Sequence, residues 1–212
     1  MIPLQPVESV KKFPFVLGYF CIFLVILNSV FLLASHLRQN IPTEFFFVPA
    51  NGFRVMALGG VFFFPHFFSL FISLIFIWVF CPRVIERRGF VFILLLILSS
   101  IFFASKVYQV LFPNFLGAVL LFDVWIGACL GAYMRRDIWG TVNTLVVGPG
   151  WIRVLEVPSY VQLFFWFFYQ LISNLMLPEQ FSNTPMPYFL GFFGFLFGFL
   201  FDSIWGALKR AN

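Results

Sequence analysis

Long apolar runs dominate the chain, broken at short intervals by prolines, glycines and small clusters of charge. About 20 consecutive apolar residues suffice to cross a hydrocarbon core of about 30 Å. Six runs reach that length, at residues 15–37, 55–80, 90–112, 115–134, 157–177 and 188–208. They predict an all-α membrane protein, a bundle of six transmembrane helices forming a single domain over residues 1–212. The first run exceeds the roughly 7–15 apolar residues of a signal-peptide core and reads as a permanent helix. Pro42, Pro49 and Asn51-Gly52 mark a loop after it, and Cys81 to Gly89 reads as a short basic turn. Pro113-Asn114 leads straight into the fourth run. The longer connection after it holds Gly148-Pro149-Gly150-Trp151, and its apolar piece, 142–147, is too short to span.

Charge then orients the bundle. Lys11, Lys12, Arg83, Arg87, Arg88, Arg135, Arg136, Arg153, Lys209 and Arg210 fall at one set of helix ends. Only Arg38, Arg54 and Lys106 fall at the other. Because basic residues concentrate on the cytoplasmic side, both termini are expected in the cytoplasm. The net charge of +5 is thereby explained by topology, without a nucleic-acid partner. With 62% hydrophobic residues, 10% charged ones and a mean hydropathy of +1.00, the composition excludes an ordinary soluble domain.

Within this apolar background one acid stands out. Asp123 interrupts the fourth run, and a carboxylate in hydrocarbon costs roughly 2.5–3.5 kcal/mol on insertion scales. An acid retained there normally faces the interior of a bundle. Gly127 and Gly131, four apart on one helical face, let a second helix approach closely, and Gly194 and Gly198 repeat that spacing in the sixth run. His66, Ser69 and Ser73 share one face of the second run and read as a polar seam that Asp123 joins. Cys21, Cys81 and Cys129 lie in or beside apolar runs and suggest buried thiols, with neither disulfide nor metal. No phosphate-binding glycine loop, metal-ligand cluster or cofactor motif is present, so no cofactor is expected.

Several segments, in order along nearly all 212 residues, resemble the rhomboid intramembrane proteases. They are Met1-Ile2-Pro3-Leu4; Ile77 to Gly89, with Glu86 and Gly89 three apart; Val157 to Gln170, with Pro158, Trp166 and Gln170; and Gly194 to Gly198. Phe53-Arg54 is similar to the family's Trp-Arg pair in the first loop. The family's chemistry is a serine at the head of the fourth helix, a histidine on the sixth, and an oxyanion-stabilising His and Asn on the second. Anchored on these motifs, the serine position is Asp123, the histidine position is Gly191, and the oxyanion pair is Ser69 and Ser73. The resemblance therefore implies a rhomboid pseudoprotease of bacterial type in the inner membrane, without catalytic residues. Its expected partners are the lipid bilayer and a transmembrane helix of a client protein, received between the second and fifth helices. Two alternatives belong to other classes: a divergent intramembrane serine protease, and a small transporter or channel subunit using Asp123.

Overall fold

The structure, a computed structural model, describes residues 2–6, 15–38, 48, 61–64, 67–115, 119, 121–148, 151–175 and 188–211. Among them are strand β1 (Ile2–Pro6) and helices α1 (Phe15–Arg38), α2 (Phe67–Arg88), α3 (Phe90–Leu111) and α4 (Phe122–Asp137). Strands β2 (Thr141–Gly148) and β3 (Trp151–Pro158) follow, then helices α5 (Ser159–Leu175) and α6 (Tyr188–Ala211). Three segments, Phe67–Arg88, Phe90–Leu111 and Leu190–Leu208, are long and apolar enough to cross a membrane. Large apolar side chains such as Leu94, Leu98, Leu200 and Ile204 point outward from them, as suits a lipid rather than an aqueous surround. The protein is mostly helical and membrane-embedded.

The bundle is built around α4. Every residue from Phe122 to Met134 is buried, and α4 packs on α2, α3, α5 and, most extensively, α6. With a rise of about 1.5 Å per residue its 16 residues span only about 24 Å. A helix this short is tolerated because protein, not lipid, surrounds it.

Two helix boundaries differ from those expected. The fourth helix begins at Phe122 rather than Phe115. The Phe115 amide is tied back to the Phe112 carbonyl in a turn, and Leu121 still has non-helical dihedrals. Asp123 therefore sits in the first helical turn, where the positive end of the helix dipole favours a carboxylate, and not mid-span. The second helix is interrupted before Phe67, and its expected start at Val55 lies outside the described residues. Pro65 disfavours helical geometry for the residue before it, and residues 62–64 are non-helical. Side chains from other helices satisfy their backbone. Asn28 of α1 donates to the Phe62 carbonyl at 2.9 Å and accepts from the Phe64 amide at 2.7 Å. The Trp125 indole of α4 donates to the Val61 carbonyl at 3.1 Å.

At its other end α2 runs through Pro82 to Arg88, so residues 81–88 are helical and not the basic turn expected. The turn shrinks to Gly89, whose φ of +87° is open to glycine and strained for other residues. That single residue reverses the chain into α3.

An all-α fold was expected; the structure adds a three-stranded antiparallel sheet in the order β1-β2-β3. Ile2 pairs with Leu145 and Pro6 with Val142, while β2 and β3 form a hairpin closed between Gly148 and Trp151. Val142 and Thr144 are buried while Thr141, Asn143 and Leu145 are half-buried, the period of two that a half-covered strand requires. Read by length alone, 142–147 was only a run too short to span. Its alternation carried the strand. Gln162 fastens the sheet to α5 by donating to the Thr144 hydroxyl at 2.7 Å, and the Ser159 amide bonds the Gly140 carbonyl.

Candidate functional site at the head of α4

Asp123 is buried, and its partner comes from α5. Gln170 Nε2 donates to Asp123 Oδ1 at 2.6 Å. A hydrogen bond of this length fixes the side-chain rotamer of both residues. Ser69 and Ser73 are likewise buried, on the inner face of α2. Asp123 was expected to join a seam with His66, Ser69 and Ser73; its hydrogen bond is to Gln170 of α5. His66 and Arg54 lie outside the described residues.

Position 191 is closely covered by its neighbours. A methyl group added at Gly191 would press on the Trp166 ring, 2.9 Å from Cη2, and would lie 3.5 Å from the Gln170 side-chain carbon. The indole of Trp166 and the amide of Gln170 occupy the space that a larger residue at 191 would need. Both are nearly inaccessible. Asp123, Gln170, Trp166 and Gly191 therefore form one buried cluster, contributed by α4, α5 and α6. It contains an acceptor and an amide but no nucleophile–base pair.

Beneath this cluster α4 and α6 meet backbone to backbone. A methyl at Gly127 would fall on the Gly191 carbonyl oxygen, and one at Gly131 on that of Phe195. From the other side, methyls at Gly194 and Gly198 would fall on the Val124 and Ala128 carbonyl oxygens. Four glycines at four-residue spacing thus set the depth at which Asp123 and Gly191 face each other.

On the outside of the cluster the wall is thin. Among the described residues α2 and α5 meet through the edge-on rings of Phe68 and Tyr169, with centroids 6.0 Å apart. Ser69 and Gln170 are the next residues along the same two helices and are turned inward.

The opposite end of the bundle is ionic. Arg88 of α2 grips Asp202 of α6 through Nε at 2.6 Å and Nη2 at 3.0 Å, and Arg136 of α4 reaches the same carboxylate at 3.3 Å. Arg87 forms a two-point pair with Asp137 at the end of α4. Glu86 pairs with Arg83 at 3.4 Å, one turn before it. The sequence presents these arginines as topology signals; their convergence on Asp202 was not foreseen. A single acid near the basic end of an otherwise apolar helix was the available clue.

Comparison with protein families, with characterised proteins and with solved structures returns no match for this chain.

Proposed function

We propose that this protein is a non-proteolytic, rhomboid-like membrane protein with six spans and cytoplasmic termini, which receives transmembrane segments of client proteins between α2 and α5. The observation that carries the reading is that α2 and α5, which touch through the Phe68 and Tyr169 rings, carry next to those rings the buried polar side chains of Ser69 and Gln170, the latter bonded to Asp123. A helix that displaces the two rings meets hydrogen-bonding groups inside an otherwise apolar bundle. Such a site favours a client with a polar residue near its outer end, because that residue has no partner in lipid.

Asp123 and Gly191, at the positions where the resemblance expects a serine and a histidine, support a holding role over cleavage. Serine-directed fluorophosphonate probes are expected to leave the protein unlabelled. Labelling that is abolished by substituting one serine would establish a protease instead.

The binding claim is tested by reconstituting the protein with synthetic transmembrane helices. One is all-leucine in its core; the other carries a single asparagine near the outer end. Photo-crosslinkers at Phe71 and Phe165, one turn from the ring pair on α2 and α5, should capture the asparagine helix preferentially. A crosslinker at Leu98 on the lipid face of α3 should capture neither. Equal capture at all three positions would sink the proposal.

A further inference from the structure

The sheet follows the end of α4 that carries Arg135 and Arg136, and its outermost strand, β3, has no neighbour on its far side among the described residues. Four consecutive residues of β3, Arg153, Val154, Leu155 and Glu156, are exposed, the two apolar ones at 55% and 43%. An open strand edge with apolar side chains is a hazard in water, and proteins normally cover it.

The strand register sorts these four residues. Directly paired residues of an antiparallel ladder share a face, and the faces alternate along each strand. Val142 pairs with Val157 and Thr144 with Leu155, and Val142, Thr144 and Val157 are buried. Gln162, in the first turn of α5, reaches this face to bond the Thr144 hydroxyl, so the face is turned toward the helical bundle. Leu155 and, two residues away, Arg153 continue it beyond the body of the protein. Val154 and Glu156 belong to the opposite face. The base therefore lies on the bundle side of the strand and the acid on the far side.

The junction between sheet and helices carries an independent sign. Trp139 is 81% exposed, and its ring stands against that of Tyr160 with centroids 5.8 Å apart. From Tyr160 an exposed apolar stripe runs along α5 through Phe164, Phe168 and Ile172, four residues apart on one helical face. Trp and Tyr gather where the hydrocarbon of a bilayer meets its headgroups. The stripe leads from that level into lipid, and the sheet begins at it.

We infer that the overhanging face of β3 rests on the headgroup layer of the surrounding bilayer, with Leu155 among the upper acyl carbons and Arg153 at the lipid phosphates. The strand can go no deeper, because the free amides and carbonyls of its edge would lose their contact with water. Headgroup depth is where an apolar side chain, a guanidinium and unpaired backbone are all accommodated. The sheet thus anchors the protein to the membrane surface instead of standing free in water.

The test places a diazirine-bearing amino acid singly at Leu155, Val154, Glu156 or Phe164 of the full chain. All four side chains are exposed, so the core is untouched. Each variant is reconstituted in vesicles of equal phosphatidylglycerol and phosphatidylcholine, and its adducts are read by mass spectrometry. Leu155 should give lipid adducts at a yield near that of Phe164, while Glu156 and the apolar Val154 should give mainly water adducts. The adducts at Leu155 should favour phosphatidylglycerol about fivefold, the effect of one arginine near an anionic surface, and Arg153→Gln should abolish the preference. Water adducts at Leu155, capture there of a second copy of the chain, or equal lipid yields at Leu155 and Val154 would overturn the proposal. No preference, or one that survives Arg153→Gln, would overturn the contact between Arg153 and phosphate.

Discussion

The bundle has two very different seams. Where α4 meets α6, backbone lies on backbone and there is no room for one methyl group. Where α2 meets α5, two rings touch edge to edge, and the next residue along each helix, Ser69 and Gln170, is buried. Both seams border the same polar cluster. The first can hold Asp123 in place only if it never moves; the second can admit a partner only if it does. α2 is itself divided in this way, since Arg88 anchors its basic end to α6 while its other end rests on Phe68.

The most severe way to break this contrast is to place a side chain in the tight seam. Gly198→Leu or Gly127→Leu should cost more than the roughly 1–3 kcal/mol of ordinary overpacking, because backbone and not a flexible side chain must yield. Thermal unfolding in detergent should show little folded protein. If both variants melt like the parent, α4 and α6 are not in contact.

Next comes the anchor. Asp202→Ala leaves Arg88 buried without its carboxylate, a loss of about 3–5 kcal/mol for a broken buried pair. Replacing Arg88 and Asp202 together by Met and Leu should recover much of that loss. A double variant as unstable as Asp202→Ala would show that the pair is not coupled.

A smaller effect is expected at the cluster. Asp123→Leu strands the Gln170 amide, at about 1–3 kcal/mol, whereas Asp123→Asn keeps an acceptor and should change the melting temperature little. Equal losses in the two variants would mean that packing, not the hydrogen bond, matters at this position. The smallest change in stability belongs to the open seam. Phe68→Ala should cost about 0.5–1.5 kcal/mol for the lost ring pair, while increasing capture of the asparagine-bearing helix at Phe71. Reduced capture would indicate that Phe68 is part of the binding surface and not its cover.

What could be read from the chain and what could not follows the same division. Hydropathy placed α1, α3, α5 and α6 to within a few residues, since lipid exposure writes itself as apolar length. It missed the break at residues 62–64 and misplaced the start of α4, because both are decided by tertiary hydrogen bonds to single side chains or turns. Asn28 is the clearest case: one amide inside an apolar helix was a visible signal, but nothing local says that it supports residues 62–64. At the site, Asp123, Gly191, Ser69 and Ser73 were legible as positions. Their surroundings were not: Trp166 and Gln170 reach Gly191 and Asp123 from a helix distant in sequence. The sheet was hidden for another reason. Apolar length and strand alternation compete for the same residues, and in a chain this hydrophobic the first signal swamps the second.

The pairing of β1 has a consequence for how the protein is made. Ile2 can find Leu145 only after α1, α2, α3 and α4 have all left the ribosome. At synthesis rates of about 5–20 residues per second, the interval is on the order of ten seconds. Through that time the leading strand has no partner, and until it docks, the β2–β3 hairpin that follows presents an open edge to whatever extended peptide is near. Closing the sheet is therefore a late step of assembly, one that fastens the start of the chain only once the central helix is in place.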